Sequence, residues 1–184
     1  MSPLLIVGAI AGLVALWAIA TYNSFVSARQ KVDEAWSGVD VQLKRRHDLV
    51  PNLVKTVRAY AEHERAALTA LTEARARAMV AGGPAETGTA ESRLTGALDA
   101  VRALGEAYPT LRAAENFLRL QADLSEIEDE IQAARRIFNA NVQAYNTRIQ
   151  VVPNVVIARW FRFAPRTFFE IELPAQRATP EVSV

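Results

Sequence analysis

Between residues 117 and 145 apolar side chains return every seven positions, at Phe117, Leu124, Ile131, Phe138 and Tyr145, with Leu120, Ile127 and Ala134 in the intervals. A repeat held over about four heptads is an amphipathic helix whose stripe needs a partner helix, because packing such a face supplies most helical stability. Pro109 suits a first helical turn, where its missing N–H costs nothing, and Pro153 stops the run. One rod from Pro109 to Val152 is therefore expected, roughly 60 Å long at ~1.5 Å per residue.

Three- and four-residue apolar steps also run through Phe25, Val32, Trp36, Val39, Leu43, Val50, Leu53, Val57, Tyr60, Leu68 and Leu71, predicting a second rod from Asn23 to Val80. Pro51 removes a backbone donor inside it. Apolar spacing stays in phase across Pro51, so a kink is preferred to a hairpin between Asp48 and Asn52. Ala81-Gly82-Gly83-Pro84 ends the rod and the chain to Thr89 reads as a loop, followed by a shorter helix with Leu94, Leu98, Val101 and Leu104 on one stripe, stopping near Gly105. The stretches 23–80 and 90–150 are nearly equal in length, so an antiparallel return brings Gln150 back beside Asn23.

From Leu4 to Ala20 no side chain is charged or strongly polar, and Thr21 and Tyr22 extend the run to the ~20 residues that cross a bilayer. A retained transmembrane helix is preferred to a cleaved signal. Ala18-Ile19-Ala20 has the form of a cleavage site, but no Lys or Arg precedes the apolar run. Arg29, Lys31, Lys44, Arg45 and Arg46 follow it, which predicts a single-pass cell-membrane protein with its N-terminus outside and its main domain cytoplasmic. The expected fold class is all-α: an N-terminal transmembrane helix over residues 1–22, an antiparallel up-and-down bundle of long helices over 23–152, and an aromatic, Pro-containing tail over 153–184.

Charge and composition narrow the partners. With 21 Lys and Arg against 20 Asp and Glu, and no basic face, a nucleic-acid partner is not expected; with no Cys, disulfides and thiolate chemistry are excluded. The acidic run Glu126, Glu128, Asp129 and Glu130 lacks the Glu and His spacing of a di-iron bundle site. It reads as a solvated or ion-pairing strip whose mate is the Lys44 to Arg46 cluster or Arg135-Arg136. His47 is either a hydrogen-bonded structural histidine, the preferred reading, or a pH-sensitive hinge. Neither metal nor cofactor is expected, and no nucleophile, base and orienting acid fall into a catalytic pattern. Pro51 and Asn141 are read as register features, Asn141 standing where the stripe calls for an apolar residue.

The tail gathers Arg159, Trp160, Phe161, Arg162 and Phe163, then Phe168-Phe169-Glu170. A hook capping the bundle end is preferred; a segment lying at the membrane interface is the alternative. Lys44, Arg45 and Arg46, with the five residues from Arg159 to Phe163, are the candidate interaction or membrane-interface residues.

Tyr22-Asn23, Val26, Arg29, Val32, Ala35-Trp36, the run Val41-Gln42-Leu43-Lys44-Arg45-Arg46-His47-Asp48-Leu49-Val50-Pro51-Asn52-Leu53-Val54, Tyr60, His63-Glu64, Glu106-Ala107-Tyr108-Pro109, Glu115-Asn116-Phe117, Arg135-Arg136, Asn139, Tyr145-Asn146, Pro153 and Phe168-Phe169-Glu170 together resemble the LemA family over almost the whole chain. Arg162 departs from the family, which often has Gly there. The resemblance implies a single-span anchor, a short outer N-terminus and a helical bundle inside, without an enzymatic activity or catalytic residues to carry over; one branch of the family is associated with building the magnetosome membrane. The expected function is a bacterial membrane-anchored interaction or scaffold protein, binding a protein partner or a second copy. The alternative is a lipid-interacting, membrane-organising protein that uses the tail.

Overall fold

The computed structural model describes residues 2–171. About 85% of them are helical and no strand occurs among them, so the fold is all-α. The helices are α1 (Pro3–Arg58), α2 (Arg65–Val80), α3 (Gly83–Ala107), α4 (Pro109–Arg112), α5 (Glu115–Gln150) and α6 (Asn154–Trp160). The chain divides into two compact units, one made of residues up to Ser37 with Ile137–Thr167, the other of Gly38–Arg136 with the segment that begins at Phe168.

In the first unit, α1 and α5 run antiparallel: Ser24 meets Arg148 and Trp36 stacks at a tilt on Phe138, ring centroids 5.1 Å apart. Phe25, Ala28, Val32, Phe138, Val142, Tyr145, Ile149 and Ala158 are its buried apolar residues. The first turns of α1 differ, with Leu4, Leu5, Ile10, Leu13, Leu16 and Ile19 all exposed. This segment is long and apolar enough to cross a membrane, and it passes into the packed part of α1 without a break.

The second unit has a core of Val50, Leu53, Val57, Leu68, Leu71, Leu94, Leu98, Val101, Leu111, Phe117 and Leu124. Here α3 and α5 are antiparallel, Arg102 donating to Gln121 and Gly105 lying against the Phe117 ring.

Three expected boundaries are corrected. The rod from Asn23 ends at Arg58 and not at Val80. The N–H groups of Ala59, Tyr60 and Ala61 turn onto Thr56 and Val57 carbonyls in a tight last turn, and α2 starts only at Arg65. The reversal lets Leu68 and Leu71 share one core with Leu53 and Val57, which a straight rod could not do. No Gly or Pro marks the turn, so tertiary burial decides it.

The loop to Thr89 is also shorter than expected. Gly83 takes φ +77°, a conformation that glycine adopts at little cost, and α3 begins there, with Pro84 in its first turn and the Glu86 carboxylate accepting the Gly82 N–H at 3.1 Å. Finally, the rod from Pro109 breaks after one turn. Leu111 is buried in the core, and Ala113 and Ala114 bond back to Pro109 and Leu111 before α5 begins.

Candidate functional site

Within the second unit the basic cluster of α1 meets acids from two other helices. Arg46 Nη1 lies 3.2 Å from Glu91 Oε2, while its Nη2 is 2.7 Å from Glu128 Oε2 and donates to Thr95 Oγ1 at 3.0 Å. His47 Nε2 sits 2.6 Å from Glu91 Oε1. Glu91 is fully buried, Arg46 is 4% exposed and Glu128 is about one-third exposed. Arg45, on the outer side of α1, pairs with Glu130 and with Gln42. The acidic strip thus finds the mate expected of it. No buried side-chain nitrogen or oxygen among the described residues lacks a hydrogen bond, so the charges are compensated where they are desolvated.

These positions revise the site assignment. Lys44 and Arg45 are exposed, whereas Arg46 is buried with Glu91, Glu128 and Thr95 as partners. Histidine 47 takes the hydrogen-bonded form. Glu91 escaped the sequence reading, although its spacing to Leu94, Leu98 and Val101 put it on the apolar stripe of α3.

Pro51 shows how one helix absorbs a proline. Its ring removes the N–H that would bond the His47 carbonyl one turn back, and Arg75 of α2 donates its Nε to that same oxygen at 2.7 Å. The lost backbone bond is replaced from a neighbouring helix, and α1 runs through residue 51 to Arg58. Beside it lies an open groove of about 650 Å³, floored by Val50, Pro51 and Val54 and edged by Lys55, Arg58 and Arg75.

In the first unit the tail folds back on the helix that follows the apolar run. The Val152–Pro153 peptide is cis, and α6 leads into Phe161 and Phe163. The Tyr22 ring meets Phe161 edge-on at 4.9 Å and Phe163 at 5.6 Å; Phe163 also contacts Phe25 at 5.2 Å, with the Arg29 guanidinium 5.7 Å above its ring. Tyr145 donates its hydroxyl to the Ala164 carbonyl, and burial pushes the phenol above its ordinary pKa, partly opposed by Arg166 and Arg29.

Asn146 accepts the Arg166 N–H and donates to the Arg166 carbonyl, while Arg166 itself pairs with Asp33 at 2.9 Å. Asn146 thus makes the amide-to-backbone pairing anticipated at Asn141. Asn141 is half-buried, and the buried stripe position after Phe138 is Val142, as the 3.6-residue helix drifts from a strict heptad. Arg162, with φ +57°, occupies the left-handed conformation that glycine adopts readily. Arg159 and Trp160 are exposed on α6. The chain beyond Ile171, with its Pro-punctuated end, lies outside the described residues.

The LemA family model matches residues 35–184. The chain is similar to Magnetosome protein MamQ of Magnetospirillum gryphiswaldense, 26% identical over 158 residues, covering 72% of this chain and 58% of that protein. It is equally similar, 26% over 180 residues, to Magnetosome proteins MamQ 1 and MamQ 2 of Paramagnetospirillum magneticum, covering 84% of this chain and 66% of each. The chain therefore spans less than two thirds of the length of these relatives.

Proposed function

Because the chain belongs to the LemA family, we propose that it is a membrane-anchored helical scaffold that binds a protein partner or a second copy of itself rather than catalysing a reaction. The carrying observation is α1, whose exposed apolar turns continue unbroken into a packed helix. A continuous helix transmits the position of the span to the residues beyond it more rigidly than a flexible linker would. The relatives' designation as magnetosome proteins supports a role at a membrane. The first basic residues after the span, Arg29 and Lys31, favour a cytoplasmic bundle under the positive-inside rule.

A chain beginning at Asn23 is expected to leave carbonate-washed membranes while keeping a strongly helical circular dichroism spectrum. Equal retention of both forms would refute the anchor, and a β-type spectrum the fold. Topology is read with single cysteines and an impermeant thiol reagent in intact cells, at Ser2 and at exposed Val80. Labelling at Ser2 alone is expected, and labelling at Val80 alone would invert the orientation. Crosslinking in the native membrane then identifies the bound partner.

A further inference from the structure

We propose that the segment from Val151 to Phe163 is a second membrane contact, a foot that rests on the anionic headgroup layer where the α1 span ends. The proposal rests on the reading of α1 as a span. Counted from Pro3, Tyr22 is the twentieth residue of the helix. At ~1.5 Å per residue it therefore lies about 30 Å along the axis, at the far edge of a hydrocarbon core. Phe161 and Phe163 are fastened to that Tyr22, so the segment carrying them is held at headgroup level.

This segment turns outward large apolar side chains beside the exposed Arg159 and Arg162. Val152 is 84% exposed, Val156 60% and Trp160 80%, spaced four residues apart, whereas Ala158 is 3% exposed. Val156 and Trp160, four apart on α6, share its outward face while Ala158 lies on the packed side, and Val152 is exposed in the turn that precedes the helix. Hook and interfacial segment are therefore two sides of one element. Exposed Val and Trp side chains are costly in water and favourable at the boundary of lipid, where Trp is at home.

Charge selects the lipid. From Asn146 to Thr167 there are four arginines and no Asp or Glu; Arg166 is paired with Asp33, the first acid after the span, and Arg159 and Arg162 are exposed. Basic side chains beside a membrane bind anionic headgroups with an affinity gain of about fivefold each. A protein surface could also cover this face, but its continuity with the span and its cationic rim favour an acidic leaflet.

The chain has no cysteine, so single thiols at Val156 or Trp160 can carry a nitroxide in the full-length protein, with exposed Val80 as reference. The protein is reconstituted into vesicles of phosphatidylcholine, alone or mixed with phosphatidylglycerol. At both tail sites the ratio of collisions with oxygen to collisions with a water-soluble nickel complex is expected to rise several-fold above that at Val80, more so with phosphatidylglycerol. Changing Arg159 and Arg162 together to Gln should weaken seating about 25-fold and reduce the lipid dependence. Tail ratios equal to that at Val80 in both vesicle types would overturn the proposal. Spin–spin broadening between copies, with no change in collision ratio, would overturn it in favour of a copy-to-copy surface. Carbonate extraction of the same samples reads the span separately: a chain that stays integrated while the tail labels remain in water loses the foot and keeps the anchor.

Discussion

Glu91→Gln tests the network around Arg46 most directly. The substitution keeps the shape of the side chain and removes one charge from a site where Glu91 is fully buried and Arg46 4% exposed. Removing one member of a buried pair costs about 3–5 kcal/mol, because the survivor keeps its desolvation penalty. Here Glu128 remains 2.7 Å from Arg46 as a second counter-ion and is partly open to solvent. The lower end, about 3 kcal/mol, is therefore expected for Glu91→Gln. Arg46→Met strands the buried Glu91 with only His47 and should cost about 4 kcal/mol or more. Changing both residues to Met removes both buried charges, and such apolar replacements are often close to neutral, so the double variant should be less destabilised than the sum of Glu91→Met and Arg46→Met by about 3 kcal/mol or more. The assay is guanidinium and thermal unfolding of the full chain in detergent, followed by far-ultraviolet circular dichroism. At ~2–4 °C per kcal/mol for a domain of this size, Glu91→Gln should lower the midpoint temperature by roughly 6–12 °C. Additivity of the two substitutions within about 0.5 kcal/mol would refute the coupling on which this reasoning rests.

Arg162→Gly should be neutral or stabilising, because relief of about 1–2 kcal/mol of left-handed strain offsets the extra freedom of glycine in the unfolded chain, whereas Arg162→Val should destabilise; thermal midpoints compare them. Arg75→Met should cost about 1.5 kcal/mol with Pro51 in place and clearly less in a Pro51→Ala background, where residue 51 supplies its own N–H to the His47 carbonyl; equal costs in both backgrounds would exclude the replacement role. The pKa values of Tyr145, raised by burial, and of Tyr108, raised chiefly by its hydrogen bond to Glu64, favour the neutral phenol in the fold. The stability they contribute is complete below pH 10.0, the ordinary value, and is lost as pH rises through the higher folded values; Tyr145→Phe should flatten the alkaline decline in unfolding midpoint.

The helices were legible where burial follows period. Phe117, Leu124, Ile131, Phe138 and Tyr145 are all buried, and α1 continues through Pro51 as its unbroken apolar phase implies. What sequence could not supply was the partner that makes the continuity tolerable, since Arg75 is separated from His47 by 28 residues and looks like any surface arginine. The reversal after Arg58 was hidden for a similar reason, because neither Gly nor Pro announces it. The left-handed turn at Arg162 could be suspected only through the glycine that the resemblance to the LemA family implies there. Glu91 was legible in principle: a carboxylate on the stripe with Leu94, Leu98 and Val101 is a residue that must be paired. Arg46 occupies the equivalent place on α1 among Val39, Leu43, Val50 and Leu53.

Those two misplaced charges bear on how the second unit chooses one packing among near-equivalents. Apolar heptads tolerate a slip of seven residues, since another Leu or Val arrives where the first one left. Arg46 does not tolerate it. If α3 slid by one heptad, Leu98 or Pro84 would stand where Glu91 now accepts from Arg46 and faces His47; if α5 slid, Gln121 or Arg135 would replace Glu128. Each alternative leaves a buried guanidinium short of an anion or against another cation, at a cost of several kcal/mol that the apolar contacts would not return. The register role sought in a single asparagine is thus available to a network spread over three helices. The proposed scaffold role would need this kind of definition, because a bundle able to slip would present several surfaces.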